Sequence, residues 1–226
     1  SALARRLAAD GHPLALIGRD RARLDALATE LDAPSAACDV TDDAALAEAV
    51  GSLAGDGLSG LAYCVGSIEL KPLSALDAAG MIDAYRLNVV GAALAVKAAR
   101  KALAAARGSV VLFSTVAASR GFPSHAVIAA AKAGVEGLGR SLAAELAPEV
   151  RVNVVAPSLS DTPMAAPVLA NPTMAEGLAR LHPLQRLGTA EDLAGAAAFL
   201  LGPGADWMTG AVLPVDGGRA ALAGKG

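Results

Sequence analysis

Apolar residues occur along this chain in two patterns. Six short apolar runs are typical of strands that are buried in a parallel sheet. These runs are residues 13–17, 35–38, 58–65, 109–113, 150–155 and 211–215. Elsewhere, apolar residues recur every three or four positions, which predicts helices. The predicted helices are residues 1–10, 20–31, 44–53, 75–107 with a break near Gly80, 124–146 and 191–201, and short helices precede His182.

Predicted strands and helices alternate at spacings short enough for right-handed crossovers. This order predicts an α/β fold with a doubly wound parallel sheet, covered by helices on both faces. No linker rich in Pro, Gly or Ser divides the chain, so we predict a single domain over residues 1–226. Ligands of such sheets bind beyond the carboxyl ends of the strands. Candidate functional residues are therefore sought directly after each predicted strand.

The composition narrows the possible partners. Aromatic residues make up only 3% of the chain, so the core must consist mainly of Ala, Val and Leu. The net charge of −3 gives no reason to expect nucleic acid or an anionic membrane as partner. No apolar run reaches the roughly 18 residues needed to span a bilayer. Cys38 and Cys64 lie in strand-like runs, which favours buried thiols in a reducing cytoplasm. We predict no metal site.

The segments that follow the predicted strands form a recognisable series. They are Gly18-Arg19-Asp20, Cys38-Asp39-Val40, Cys64-Val65-Gly66, Asn88 to Gly91, Ser114-Thr115, Lys132, Arg151 to Ser158, Asp161 to Met164, Arg186-Leu187-Gly188, Thr209-Gly210 and Val215 to Gly218. In this order and spacing, the chain resembles the short-chain dehydrogenases/reductases from its first helix to its end. The resemblance implies a Rossmann-like NAD(P)-binding domain, an oxidoreductase acting on a small carbonyl, imine or alcohol, and a homo-oligomer, either a dimer or a tetramer.

The resemblance also implies a set of cofactor-binding residues. They are Arg19, Asp39, Val40, Gly66, Asn88, Lys132, Pro157, Ser158 and Thr162. Gly18 stands where an acidic residue would bind a ribose hydroxyl, and Arg19 follows it, which favours NADP(H) over NAD(H). Each of three residues also has a simpler explanation. Arg19 could be a solvent-exposed side chain without a ligand, Asp39 could cap the N-terminus of a helix, and Gly66 could serve only to form a turn. Ser158 occupies a position where the family normally has Gly.

The start of the chain departs from the family. The family opens with a strand and a glycine-rich turn whose backbone amides hold the pyrophosphate. This sequence begins inside the helix that follows that turn. We therefore expect about 15 to 20 more residues before Ser1 in the natural chain, enough for one strand and its turn.

The second departure concerns the catalytic residues that the resemblance implies. Asn88 matches the asparagine that holds a water relay, Thr115 the serine that polarises the carbonyl, and Lys132 the lysine that binds the nicotinamide ribose. The proton-carrying tyrosine should stand four residues before Lys132, but Ile128 stands there, 13 residues after Thr115. His125, about one helical turn earlier, is either an alternative proton carrier or a surface histidine.

Two functions remain open at this stage. Losing a general acid costs about 100- to 10,000-fold in rate, so an activated substrate such as an iminium ion could still be reduced. The first hypothesis is therefore an atypical NADP(H)-dependent oxidoreductase whose proton comes from water, His125 or the substrate. The second hypothesis is a catalytically inactive NADP(H)-binding homologue that acts as a sensor or as a partner subunit.

Overall fold

A four-stranded parallel sheet forms the centre of the structure. The computed structural model describes residues 1–223. The sheet order is β3-β4-β5-β8, with β3 Gly60–Tyr63, β4 Ser109–Phe113, β5 Arg151–Pro157 and β8 Val212–Val215. In the β4–β5 ladder, Ser109 pairs with Arg151 and Phe113 with Val155. The residues that follow Phe113 and Pro157 therefore emerge side by side at the carboxyl edge of the sheet.

Two shorter parallel pairs accompany this sheet. Strand β1 (Leu16–Gly18) pairs with β2 (Ser35–Ala37), and β6 (Ser160–Asp161) pairs with β7 (Gly188–Thr189). The prediction of a strand buried on both faces at residues 13–17 is wrong in extent and burial. Only Leu16–Gly18 is a strand, and its residues are half-buried, because β1 has a hydrogen-bonded neighbour on one side only among the described residues.

Nine α-helices lie among residues 1–223. They are α1 Ala2–Ala9, α2 Arg21–Leu31, α3 Asp43–Ala54, α4 Ala78–Tyr85, α5 Gly91–Ala105, α6 Ala126–Leu146, α7 Ala166–Leu169, α8 Pro172–Arg180 and α9 Ala190–Leu201. Side chains cap several N-termini, where backbone amides lack intrahelical partners. Asp42 accepts hydrogen bonds from Ala44 N and Ala45 N at the start of α3.

The helix predicted over residues 75–107 differs from the structure in its start and its break. It begins at Ala78, and Gly80 lies in its first turn, where the Asp77 carboxylate accepts a 2.7 Å hydrogen bond from the Gly80 amide. The interruption comes later, as a π-helical turn at Arg86–Val90 between α4 and α5. Single π-helical turns inside α-helices are frequent at functional sites.

Helices cover both faces of the sheet, as the doubly wound pattern predicts. Val110 and Leu112 of β4 are fully buried on the face covered by α3, α5 and α6. Val111 points to the opposite face, where it packs with residues of α9. Small and aliphatic side chains supply nearly all of this core, as the composition predicts.

One continuous helical stretch, Ala78–Ala105, is long and apolar enough by length and composition to cross a membrane. Its residues Ala92, Ala99 and Leu103 are fully buried in the core beside the sheet. These contacts are those of an interior helix of an α/β fold.

Candidate active site

Lys132 belongs to helix α6, and its side chain lies at the carboxyl edge of β4. Its side chain is buried, with 8% of the residue exposed, and its Nζ donates a 2.8 Å hydrogen bond to the carbonyl oxygen of Phe113. Burial lowers the pKa of Lys132 to about 8, because the charged ammonium is poorly solvated there.

Ser114 fixes the same helix to the same strand. Its hydroxyl lies 3.1 Å from the carbonyl oxygen of Lys132 and 2.9 Å from Oε1 of Glu136, and it can donate to either. Sequence reasoning missed Ser114 and Glu136 as positioning residues. The available signal was the spacing of Lys132 and Glu136, four residues apart and so on one face of the helix.

Asn88 lies in the π-helical turn and is 1% exposed. Its Nδ2 donates to the carbonyl oxygen of Ala84 over 2.8 Å, so the amide bridges the helix irregularity. Its Oδ1 is buried and has no hydrogen-bond partner among the described residues. A buried acceptor without a donor indicates a place where a ligand or water donates.

Gly66 lies against both of these side chains. A Cβ atom at Gly66 would lie 3.0 Å from Asn88 Oδ1 and 3.0 Å from Lys132 Nζ. The tertiary structure therefore brings together a free acceptor, a cationic donor and a backbone without a side chain. This arrangement fits the hydroxyls of a ribose, which both donate and accept hydrogen bonds.

Thr115 and Ile128 occupy the positions assigned to the hydroxyl and the missing tyrosine. Thr115 is half-buried directly beyond β4, and its Oγ1 accepts a 3.3 Å hydrogen bond from Ala117 N. Ile128 is 5% exposed on α6, one helical turn before Lys132. An isoleucine side chain has no proton to exchange.

Neither tyrosine of the chain replaces the missing phenol. The Tyr63 hydroxyl donates a 2.7 Å hydrogen bond to Leu87 O, and burial raises the pKa of Tyr63 above its ordinary value. Tyr85 is 49% exposed, and its ring packs against Gly134 of α6. Both are therefore structural contacts of the helices.

His125 is the residue immediately before α6. Its Nδ1 lies 2.7 Å from the carbonyl oxygen of Pro123, so Nδ1 carries the proton and donates it to that bond. The ring also lies 5.4 Å from the ring of Phe122, measured between centroids. The histidine is thus held by its own loop at the start of α6.

The residues expected to bind the adenosine half follow β1 and β2. Arg19 is highly exposed, and its Nη1 lies 3.8 Å from Oδ2 of Asp39. Asp39 accepts hydrogen bonds from the Thr41 amide (2.9 Å) and hydroxyl (2.7 Å), which lower the pKa of its carboxyl group. The alternative that Asp39 caps a helix is wrong, because Asp42 caps α3. Val40 is buried in the core.

A second group of predicted residues follows β5. Pro157 pairs with Val215 of β8, and the Thr162 hydroxyl donates to Ser160 O over 3.4 Å. Sequence reasoning missed the partner of Ser158: its hydroxyl donates to Nε2 of His182 over 2.8 Å, while His182 Nδ1 donates to Leu178 O over 3.0 Å. Ser158 and His182 line a cavity of about 370 Å³, which the turn at residues 216–218 also borders.

Both cysteines are free, but only Cys38 is buried. The prediction that Cys64 is also buried is wrong. Cys64 lies one residue beyond the end of β3, and β3 has a ladder partner, β4, on only one side among the described residues. The Cys64 thiol is therefore exposed.

The fold and these strand-end residues are those of one family. Residues 1–220 match the family described as Enoyl-(Acyl carrier protein) reductase. The protein is a short-chain dehydrogenase/reductase. It is 37% identical over 230 residues to the "Inactive 2-(S)-hydroxypropyl-CoM dehydrogenase 2" of Xanthobacter autotrophicus, covering 97% of this chain and 100% of that protein.

Two further comparisons support this assignment. The 3-oxoacyl-(acyl-carrier-protein) reductase MabA of Mycobacterium tuberculosis is 33% identical over 229 residues, covering 96% of this chain and 86% of that protein. The gluconate 5-dehydrogenase of Burkholderia cenocepacia, solved in complex with NADP and tartrate, superposes with a TM-score of 0.91 at 25% identity, covering 98% of this chain and 91% of that chain. This short-chain dehydrogenase/reductase therefore belongs to a family of oxidoreductases.

Proposed function

We propose that the protein is an NADP(H)-dependent oxidoreductase that transfers hydride between the nicotinamide and a small carbonyl, imine or alcohol. The observation that carries this proposal is the juxtaposition of Lys132 Nζ, the unpartnered Asn88 Oδ1 and Gly66 at the carboxyl edge of the sheet. Ligands of doubly wound sheets bind at this edge. The NADP-bound gluconate 5-dehydrogenase of the same fold supports a nicotinamide cofactor.

Each residue has a role that follows from its chemistry. Lys132 donates to the ribose hydroxyls, Asn88 Oδ1 accepts from a hydroxyl or a water, and Gly66 lets the cofactor approach the backbone closely. Thr115 donates a hydrogen bond from its hydroxyl to the substrate oxygen and so polarises the carbonyl. When bound, the cofactor supplies or accepts the hydride.

The proton that the substrate takes up during reduction must come from a group other than a tyrosine. Ile128 cannot supply it, whereas the buried Lys132 carries a proton at neutral pH and has a pKa lowered to about 8, closer to that of an effective general acid. Water, His125 and the substrate itself are the other sources. Substrates that need little protonation, such as iminium ions, are therefore favoured over simple ketones.

NADP(H) is favoured over NAD(H) by Arg19. Its side chain is 81% exposed beyond β1, and the contact between its Nη1 and Oδ2 of Asp39 is long at 3.8 Å. An exposed arginine at the end of this strand can bind a 2′-phosphate, which NAD lacks. The variant Arg19→Gln removes this positive charge, so it should weaken NADPH binding and leave NADH binding unchanged.

The first experiment measures cofactor binding and turnover separately. NADPH and NADH are titrated by fluorescence, and NADPH oxidation is followed against a panel of ketones, aldehydes and cyclic imines. We expect tighter binding of NADPH than of NADH, and faster oxidation with imines than with ketones. Absence of NADPH binding would overturn the proposal, and binding without any turnover would favour the second candidate.

The second candidate is an NADP(H)-binding protein without catalysis, a sensor or a partner subunit of an active relative. Two observations favour it: Ile128 at the tyrosine position, and a relative whose name describes it as inactive. It predicts tight NADPH binding, no turnover, and association with a second, active chain.

We also propose that the protein is cytoplasmic and forms a homo-oligomer. The two free thiols support a reducing compartment. Exposed apolar side chains on α4, including Met81 and Ile82, support a contact between identical chains. Sedimentation velocity of the purified protein measures the oligomeric state.

A further inference from the structure

Two arginines lie against one aromatic ring, next to the turn that borders the cavity of about 370 Å³. The guanidinium carbon of Arg120 is 5.9 Å from the centroid of Phe122, and that of Arg219 is 5.4 Å from it. Arg120 and Phe122 belong to the loop between β4 and α6, whereas Arg219 belongs to the turn after β8. We call these three residues the rim cluster. Segments that are distant in sequence therefore bring two positive charges to the same small patch.

Backbone carbonyls hold both guanidinium groups in place. Arg120 Nη1 donates to the carbonyl oxygen of Arg219, and Arg219 Nη1 donates to that of Leu181 over 3.2 Å. These bonds use only some of the five N–H donors of each guanidinium. The remaining donors of each guanidinium form no hydrogen bond with the described residues.

No carboxylate of the described residues is paired with the rim cluster. Neither arginine forms an ion pair with any residue in the part of the chain that the structure describes. Asp216, the acidic residue nearest to Arg219 in sequence, accepts hydrogen bonds from the amides of Gly218 (2.8 Å) and Ala220 (2.7 Å). Two uncompensated like charges in one patch repel each other, and a bound anion relieves this repulsion.

The rim cluster contacts the residue that precedes α6, the helix that carries Lys132. The ring of His125 packs against Phe122, and α6 begins directly after His125. Lys132 follows His125 by seven residues, which is about 10 Å along a helix. The cavity of about 370 Å³ lined by Ser158, His182 and Gly218 adjoins the same turn as Arg219.

We propose that Arg120 and Arg219 form an anion-binding site for a carboxylate, sulfonate or phosphate group carried by the substrate. The planar guanidinium fork matches the oxygen spacing of these groups. The anion would sit at the rim while the reacting carbon lies near Lys132, so that the site selects substrates by a charge remote from the reaction. This proposal deepens the function proposed above and rests on it for the position of the reacting carbon.

Equilibrium binding tests the anion site without requiring turnover. The probes are 8-oxononanoate, whose carboxylate and ketone are separated by an extended chain of about 10 Å at most, and its uncharged methyl ester. Calorimetry measures both dissociation constants for the wild-type protein and for the variants Arg120→Gln and Arg219→Gln. The matched control is Arg100→Gln, an exposed arginine of α5 outside the rim cluster.

We expect the wild-type protein to bind the acid at least about tenfold more tightly than the ester. Each rim variant should lose most of this preference and bind the ester as before, whereas Arg100→Gln should keep the preference. Equal binding of acid and ester by the wild-type protein would overturn the proposal. An equal loss in Arg100→Gln would also overturn it, since the effect would then be one of overall charge.

One further variant and two further probes complete the binding experiment. Arg120→Lys retains the charge and removes the fork, so a folded Arg120→Lys with a reduced preference supports the proposal even if Arg120→Gln is unstable. The corresponding sulfonate and phosphate probes show which anion is preferred. Loss of NADPH binding or turnover would contradict the proposed function, whereas loss of the acid-over-ester preference alone would contradict only the anion site.

Discussion

The Lys132 ammonium donates a 2.8 Å hydrogen bond to the carbonyl oxygen of Phe113, the last residue of β4. This bond fixes a buried cation from α6 at the carboxyl edge of the sheet, one helical turn after Ile128. Asn88 Oδ1 and Gly66 lie beside the same cation. The proposed function depends on these residues binding the nicotinamide cofactor.

The first prediction concerns pH. The pKa of Lys132 is lowered to about 8 by burial, so the side chain loses its proton as the pH rises through that value, well before an exposed lysine does. A neutral amine attracts the anionic cofactor less. We expect NADPH affinity to be highest below pH 8 and to fall above it, as measured by fluorescence titration between neutral pH and about pH 10.

The controls for this pH dependence separate Lys132 from other lysines. Lys132→Arg keeps its charge over the whole range, so any cofactor binding it retains should not fall above pH 8. Lys101→Met removes an exposed lysine of α5 and should keep the wild-type profile. A wild-type affinity that stays constant through pH 8 contradicts the role of Lys132.

The second prediction concerns the residue at position 128. Ile128→Tyr places a phenol one turn before Lys132, at the spacing of the family tyrosine. If the protein is an inactive cofactor binder, we expect ketone reduction to appear only in the variant, with a gain of about 100- to 10,000-fold over background. If it is an atypical enzyme, the wild type already turns over imines. Steady-state NADPH oxidation measures both outcomes.

Ile128→Phe is the matched control, because it adds the ring without the hydroxyl. The position is 5% exposed, so both variants add volume to a packed site and should lose about 1–3 kcal/mol of stability. Equal activity of the Tyr and Phe variants would show that the phenol does not act as the acid.

The third prediction concerns Gly66. Gly66→Ala places a methyl group 3.0 Å from both Asn88 Oδ1 and Lys132 Nζ, so it occupies the space proposed for the cofactor ribose. We expect NADPH affinity to fall at least about tenfold. Gly137→Ala serves as control, since an added Cβ there meets nothing within 4 Å. Unchanged affinity in Gly66→Ala would place the ribose elsewhere.

The fourth prediction concerns the packing of α6 on the sheet. A Cβ at Gly139 would lie 2.6 Å from Cγ2 of Val154, in the fully packed interior. Gly139→Ala should therefore lower the free energy of unfolding by about 1–3 kcal/mol. Gly137→Ala, two residues earlier on the same helix, should raise it by about 0.5–1 kcal/mol, because alanine favours the helix. Urea denaturation compares the two variants, and similar stabilities would contradict the close approach.

The sequence predicted local structure well where one pattern ran unbroken. The run at residues 109–113 coincides with β4, because its apolar side chains are buried on both faces. The break assigned to Gly80 was wrong, because glycine is tolerated in a first helical turn that Asp77 caps. The π-helical turn at Asn88 left no periodic signal. Its stabilising contacts come from a side chain bonding to a carbonyl four residues earlier, which periodicity does not detect.

The sequence alone determined the order of strands and helices and the spacing of Thr115, Ile128 and Lys132, because neighbours along the chain fix these. Tertiary structure alone decided which distant groups meet. It placed Gly66 against Asn88 and Lys132, joined Ser158 to His182, and brought Arg120 and Arg219 to one ring. The physical reason is that these contacts depend on how separate helices and loops pack on the sheet, and periodicity within one segment carries no information about its partners.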